Sequence, residues 1–566
     1  MIGLFDIIFV IWAVVVPVGF GYRLLNSDGD LARHLRLGEL MLDHHALLRQ
    51  DVFSFTMAGR PFLPFEYGSE LVYAAAFRAA GLAGVAVLAG LVLALTYALV
   101  ARFLIRRGGD PLLAYLVSMA AAVLSAAHWL ARPHLFTLLL VVVLLELLQH
   151  TSRRALLLYV PLFVLWANLH GGFSFGCILI ALYALGEALE GMLPGTDRGM
   201  WVARAKHHAA ALAVALVSSL LNPFGWRLLA HVFGFFGNSA ILRQTQEFMS
   251  PDFHTINGKI FLLALLAVVA ALAWSRRRPT MPVLLVTLVT IAFSLLSQRN
   301  IELFALTALP LLTLHLDAEW RAMPLLRRAK AVFEREHEGR HPGAGAAVVA
   351  VLLIAVALAG GRVARTVLVP DRFDDKAFPV RAVAEGRAAR LEGRMFNNFI
   401  WGGYLLQAWP EQRVFIDGGT DHYGEKLFDE YIRVWNLEPG WRDVLKRWDI
   451  TLALVPPDSR LADQMVRDGE WRPWYCDSTA VLLQRRPVSS DSVVRGAPQA
   501  RPCRVLTGAP SRDDRVSTAN APAPSSRNVV RLRRKAWSST RALPTAEAPE
   551  RTTSYSPGAD VGGAPG

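Results

Sequence analysis

The chain has 566 residues, 53% of them hydrophobic and only 19% charged. That balance, with a mean hydropathy of +0.34, excludes an ordinary soluble globular domain. Its formal charge of +13 would suit a nucleic-acid binder, but the basic residues sit in a C-terminal tail and in short loops between apolar runs. There they set membrane orientation, so nucleic acid is not an expected partner.

Apolar runs of about 20 residues recur along most of the length, as helices that cross a bilayer require. The pattern predicts an all-α polytopic domain with about eleven spans, near 7–25, 80–103, 110–127, 134–151, 155–169, 173–193, 207–221, 258–275, 280–296, 301–316 and 344–361. The first run lacks a basic leader and a small-residue cleavage site, and reads as a retained helix. Cys177, Cys476 and Cys503 are far apart and form neither a metal-spacing pattern nor a disulfide framework.

Asn26–Tyr67 follows the first span, with Asp28 and Asp30 at its start, an amphipathic helix over Leu31–Leu42, and Glu66 at its close. The segment from Glu66 to Phe77 is expected along the membrane surface or obliquely within it. Basic clusters follow the second, fourth, sixth, eighth and tenth spans: Arg102, Arg106 and Arg107; Arg153 and Arg154; Arg198, Arg204 and Lys206; Arg276 to Arg278; and Arg321 to Arg340. All fall on one face, which the positive-inside rule makes cytoplasmic.

The other loops then face outward. They are Asn26–Tyr67, His128–His134, Ala167–Gly172, Asn222–Asn257 and Ser297–Asn300, with Trp129, Trp166 and Trp226 expected at the interface. Residues 1–361 form the membrane domain. Residues 362–486 have soluble composition and alternate strands (Arg413–Ile416, Thr451–Val455, Val481–Gln484) with helices (Glu425–Trp435, Trp441–Arg447), predicting a small extracytoplasmic α/β domain. Residues 487–566, rich in Pro, Ser, Ala and Arg, read as a disordered tail.

The candidate chemistry crowds one side. Asp28 and Asp30 could simply cap the following helix. One carboxylate suffices for that, and the pair suits a general base or a ligand for a divalent cation. No other cofactor is implied, and no metal ligand set is assigned. His34, one turn beyond Asp30, suits a surface hydrogen bond or a metal pair, while His44 and His45 should face solvent.

Arg132 and His134, Asn168 and His170, and Arg299 and Asn300 place cations and amides in three outer turns, where arginine can grip phosphate. Snorkelling to the interface is the ordinary alternative for such arginines. Asn222 and Glu247 add polar groups in the loop after the seventh span. WGGY (Trp401–Tyr404) and IDGGTDHYG (Ile416–Gly424) are glycine-rich turns that serve backbone geometry, with Asp417 and Asp421 as minor candidates for a sugar surface. The sequence shows no Walker loop, no GxGxxG after a strand and no GxSxG elbow at a strand-to-helix turn.

SDGDLARHLRLGELML, DVFSFTMAGRPFLPFEYGSELVYAA, ARPHLFTLLL, WANLHGGF, LNPFGW, SQRNIELFALTALPLL, MFNNFIWGGYL and RVFIDGGTDHYG stand in this order. Together they resemble a family of bacterial polytopic proteins in the GT-C glycosyltransferase superfamily, which includes protein O-mannosyltransferases and the aminoarabinose transferase. The resemblance implies transfer of a sugar from a polyprenyl-phosphate donor to a glycan, lipid or protein acceptor outside the bacterial inner membrane. It makes Asp28 or Asp30 the base and gives Arg132 and Arg299 the donor phosphate. The chain departs from that pattern at Ala32 and Arg33, where aromatic residues are usual. A transporter or flippase, for which Glu146 inside the fourth span is the best feature, and a non-catalytic envelope assembly protein are the rival expectations.

Overall fold

The computed structural model describes residues 3–235, 246–323, 331 and 343–486. The predicted tail, Cys503, and parts of the 222–257 loop and of the Arg321–Arg340 cluster lie outside the described residues.

The chain opens with α1 (Leu4–Gly19) and, past a break at Phe20, α2 (Gly21–Asn26). Next come α3 (Asp30–His44), α4 (Tyr67–Arg106), α5 (Pro111–Ser125), α6 (His134–Leu147), α7 (Arg153–Leu169) and α8 (Phe173–Glu190). They are followed by α9 (Arg198–Ser218), α10 (Trp226–Phe235), α11 (Ile256–Trp274), α12 (Met281–Leu296), α13 (Ile301–Ala322) and α14 (Ala344–Leu358). Among the described residues, 5 helices are long and apolar enough to cross a membrane, and four more apolar helices are shorter, including α1 and α14. The most apolar stretch of α11 has a mean hydropathy of 2.2 yet is only 17% buried. Leu263, Leu266 and Val269 stand exposed there, a surface that suits lipid and not water.

Segments 67–79 and 82–106 are one helix, α4, bent where Ala80 and Gly81 leave helical geometry. Gly81 has φ +59°, which glycine tolerates without a Cβ penalty. The bend lets the first part of α4 lie against α3 while the second joins α1 and α5 in the bundle. Trp129 and Trp166 are not interfacial but fully buried; Trp129 packs edge-on against Trp12 and donates to the Tyr97 hydroxyl, 3.0 Å. Trp226 alone of the three is exposed. Glu146 pairs with Arg107, 3.1 Å, at the arginine-rich end of the bundle.

The C-terminal region carries a short hairpin, β1 (Arg362–Val363) and β2 (Thr366–Val367). It then builds a mixed sheet of β3 (Arg394–Asn397), β4 (Ile450–Val455), β5 (Trp471–Cys476) and β6 (Val481–Arg485), ordered β3-β4-β6-β5. Only the β3–β4 pair is parallel. Its helices are α15 (Val380–Ala388), α16 (Gly402–Ala408), α17 (Thr420–Trp435), α18 (Trp441–Arg447) and α19 (Arg460–Arg467). The segment 413–416, expected as a strand, lies outside this sheet. Instead Val414 bridges the loop after α3, donating to Phe53 O and accepting from Phe55 N–H. Three apolar residues in a four-residue segment cannot say which partner they will find. Cys476, at the end of β5, is disulfide-bonded, against expectation, while Cys177 is free and buried.

The amphipathic helix α3 has two partners. Gly38 brings it close against α4, where a Cβ would run into the Glu70 carbonyl. Its other face joins Ala32, Leu37 and Met41 to Trp401, Tyr404 and Leu405 of the C-terminal region in one hydrophobic cluster. Helix and C-terminal region therefore share a core, and burial on both sides fixes α3 between that region and the bundle.

Candidate functional site

Asp28, Asp30, Arg132, Glu247 and Arg299 converge. Arg132 Nε lies 3.0 Å from Asp28 Oδ2, and its Nη2 lies 2.7 Å from Asp30 Oδ2. Its Nη1 is 3.6 Å from Glu247 Oε2, and Arg299 Nη1 is 3.3 Å from Glu247 Oε1. Two arginines and three carboxylates thus form one chain of ion pairs drawn from four separate loops.

Local structure holds each member. Asp28 Oδ1 accepts the Asp30 N–H, 2.9 Å, so the aspartate does help start α3, as the capping expectation had it. Its second oxygen is left for Arg132. The turn bearing Arg132 is tied down by Ala131 N–H donating to Leu24 O and by the Tyr73 hydroxyl donating to Arg132 O. Glu247 is held by Ser297 Oγ donating to its carbonyl, 3.1 Å, and Arg299 lies over the Phe248 ring.

Burial pushes the Asp28 carboxyl up, and the Arg132 guanidinium opposes that rise. Burial would also raise Glu247, but Arg299, Arg132 and His128 pull it down to about 2, so it stays ionised. Desolvation works against the Arg132 charge, yet Asp28, Asp30 and Glu247 hold it more firmly protonated than usual.

A second polar group adjoins the start of α4. His170 Nε2 stands 3.4 Å from Glu66 Oε1, and His34 Nε2 stands 3.9 Å from Glu66 Oε2. Gly172 N–H donates to His170 Nδ1, so the ring proton sits on Nε2 beside Glu66. His34 is buried rather than at the surface and bonds Glu70, 3.1 Å, instead of sharing a ligand face with Asp30. Burial raises Glu66 to about 7, against the pull of His34 and Arg33, and lowers His170 to about 3.

The Glu66 shift predicts a pH effect. The unfolded chain loses this proton near 4.5 and the folded chain near 7, so the folded state holds more protons between those values. The contribution of Glu66 to stability therefore falls as pH rises from 4.5 towards 7 and levels off above, while His170, lowered from 6.5 to about 3, contributes the opposite slope below 6.5. At about 1.4 kcal/mol per unit the effect is on the order of 3 kcal/mol. Glu66→Gln should remove this contribution alone, so the stability difference between parent and variant in thermal unfolding should change across pH 4.5 to 7; a pH-independent difference would refute the assignment.

Other expected residues go elsewhere. Asn168 accepts from the Tyr67 hydroxyl and donates to Val164 O and Leu221 O. Asn222 closes its own turn by accepting Phe224 N–H, 2.7 Å, and Asn300 donates to Phe293 O, 3.1 Å. These three amides shape turns. His134 is buried at the start of α6 beside His128. His44 and His45 are exposed, as expected.

The glycine-rich motifs prove to be contact surfaces. A Cβ on Gly418 would collide with Asp30 Oδ1, and one on Gly29 would collide with Ile400 O. Asp417, buried, takes Arg33 Nε at 3.1 Å, and Asp421 takes His231 of α10 at 3.1 Å. His422 pairs with Asp51 of the loop after α3, 2.8 Å. Arg33 and Ala32 thus serve to dock the C-terminal region against the start of α3 beside the acidic pair. Nothing in the spacing of either segment reveals this pairing, since the partners are nearly 400 residues apart.

Gly418→Ala should accordingly lift this region from Asp30 and expose the Ile416–Gly424 turn to limited proteolysis. Gly424→Ala, with open space at its Cβ, tests backbone strain alone at the same turn. Equal protection of Gly418→Ala and the parent would count against the close approach.

The fold is similar to that of the Archaeoglobus fulgidus oligosaccharyltransferase in its apo crystal structure. A second structure, of archaeal oligosaccharyltransferase AglB from the same organism with an inhibitory peptide and a dolichol-phosphate, is equally similar. Each matches with a TM-score of 0.51 at 12% identity, covering 80% of this chain and 69% of the other. At that identity the likeness is one of fold. No protein-family model and no curated protein sequence matches the chain.

Proposed function

We propose that this chain is a membrane glycosyltransferase that moves a sugar from a polyprenyl-phosphate carrier to an acceptor outside a bacterial inner membrane. About eleven spans would anchor it, with the C-terminal domain on the outer side. The observation that carries this reading is the convergence of Asp28 and Asp30 on Arg132, with Arg299 joined through Glu247. The fold, shared with an oligosaccharyltransferase seen with dolichol-phosphate, supports it. A disulfide at Cys476 suits an oxidising compartment.

The chemistry needs little more than these groups. Asp30 removes the proton of the acceptor hydroxyl or amine as that atom attacks the anomeric carbon. The bond from the anomeric carbon to the phosphate oxygen breaks, and the electron pair leaves on the carrier phosphate. Arg132 and Arg299 take up that charge, Arg132 exchanging a carboxylate partner for a phosphate oxygen. Asp28, held by a backbone N–H and by Arg132, positions the guanidinium. A single base on one face favours an inverting displacement.

Labelled-sugar transfer from polyprenyl-phosphate carriers in liposomes containing the full chain tests the proposal. Transfer to an acceptor is the expected result. Uptake of a solute or carrier without transfer would favour a transporter or flippase, although Glu146 is engaged by Arg107. Neither transfer nor uptake would favour a non-catalytic envelope assembly protein.

A further inference from the structure

We propose that His128, His134 and Glu302 form a binding site for one divalent transition ion of the zinc class, separate from the Asp28–Asp30 pair. His128 closes the short turn after α5, His134 begins α6, and Glu302 lies in the first turn of α13. One ligand atom from each residue falls within 4.8 Å of the other two. His134 and Glu302 are 4% and 6% exposed.

Two of the donors lack hydrogen bonds. Glu302 Oε2 and His128 Nε2 are buried without a hydrogen-bond partner among the described residues. Glu247 Oε2 stands 3.9 Å from that His128 nitrogen, too far for a hydrogen bond. Buried polar atoms are rarely left so, and each instance calls for a reason. His134 Nε2–H donates to the His128 carbonyl, 3.1 Å, which fixes the tautomer and leaves the Nδ1 lone pair for a ligand. That is the outer-shell arrangement of ligating imidazoles.

The charges nearby leave room for a cation. Arg132 is committed to Asp28 and Asp30, Arg299 to Glu247, and Arg23 donates to the Ala127 carbonyl. Glu302 is the carboxylate that these guanidinium groups do not pair. Two imidazoles with one carboxylate suit zinc or its first-row neighbours far better than magnesium or calcium, which favour all-oxygen sets. Zinc–nitrogen bonds of about 2.0–2.1 Å require ligand atoms roughly 3.3 Å apart, so small side-chain rotations must close the set. Three protein ligands would leave a fourth position open to water or an oxyanion.

The inference does not depend on sugar transfer, and its test reads the metal alone. The full chain in detergent, stripped with chelator, is dialysed against ZnCl2 and its metal content measured, with the visible spectrum of the Co2+ form as a second readout. One ion per chain is expected. His134→Ala and Glu302→Gln should each weaken binding by about tenfold or more, whereas Asp28→Asn and Asp30→Asn should keep it. Should Glu302→Gln not fold, His128→Asn serves in its place, with size-exclusion elution as the check. No bound ion in the wild type, unchanged binding in the histidine and glutamate variants, or loss confined to the aspartate variants would each overturn the proposal.

Discussion

Asp30→Asn should lower sugar transfer by roughly 10²–10⁴-fold, the range over which a positioned general base contributes. Asparagine keeps the shape but cannot accept the acceptor's proton. Asp30 engages Arg132 through Oδ2, while its Oδ1 lies beneath Gly418 at the edge of the docked C-terminal region. Asp28 is more fully tied, with one oxygen on the Asp30 N–H and the other on Arg132. Asp28→Asn should therefore lose less, on the order of tenfold, through a misplaced guanidinium. Initial rates at saturating donor, with thermal unfolding measured alongside, separate chemistry from folding. Full transfer by both variants would remove the base from the mechanism.

Arg132→Met should be the most damaging single substitution to both stability and transfer. It leaves Asp28, Asp30 and Glu247 without the guanidinium that pairs with all three, in a cluster where the side chains are about one-fifth exposed. Breaking a buried pair by removing one partner costs about 3–5 kcal/mol; partial exposure here reduces that to on the order of 2–3 kcal/mol. Arg132→Lys separates the two roles. An ammonium restores charge but cannot reach Asp28 and Asp30 with a rigid fork, as Nε and Nη2 do. Lysine should recover most of the thermal stability and little of the transfer. If Arg132→Met unfolds at the wild-type temperature, the ion-pair chain is not what holds the four loops together.

The docked C-terminal region gives these variants a structural control. Arg33 and Asp417 sit one side chain away from the acidic pair, so changes at Asp30 should also alter proteolytic protection of the Ile416–Gly424 turn. Protection measured on Asp30→Asn therefore reports whether loss of transfer comes with loss of the roof.

The sequence by itself determined the apolar helices and the identity of the charged residues in the cluster, and its arginine placement set the expectation that the polar turns gather on one side of the membrane. Hydrophobic length and arginine placement are local properties, written in each segment without reference to any other. It also determined that Asp28, Asp30, Arg132, Glu247 and Arg299 were worth attention, because charges at the ends of apolar helices are costly. The partners were another matter. That Arg132 spans both aspartates, that His34 turns inward to Glu70, and that Gly418 presses on Asp30 depend on chain segments far apart meeting in space. The same holds for Asn168, Asn222 and Asn300, which look alike in sequence to site residues yet close backbone turns. An amide or a glycine carries no mark of which distant backbone it will meet; only the packing of α3 between the bundle and the C-terminal region decided that.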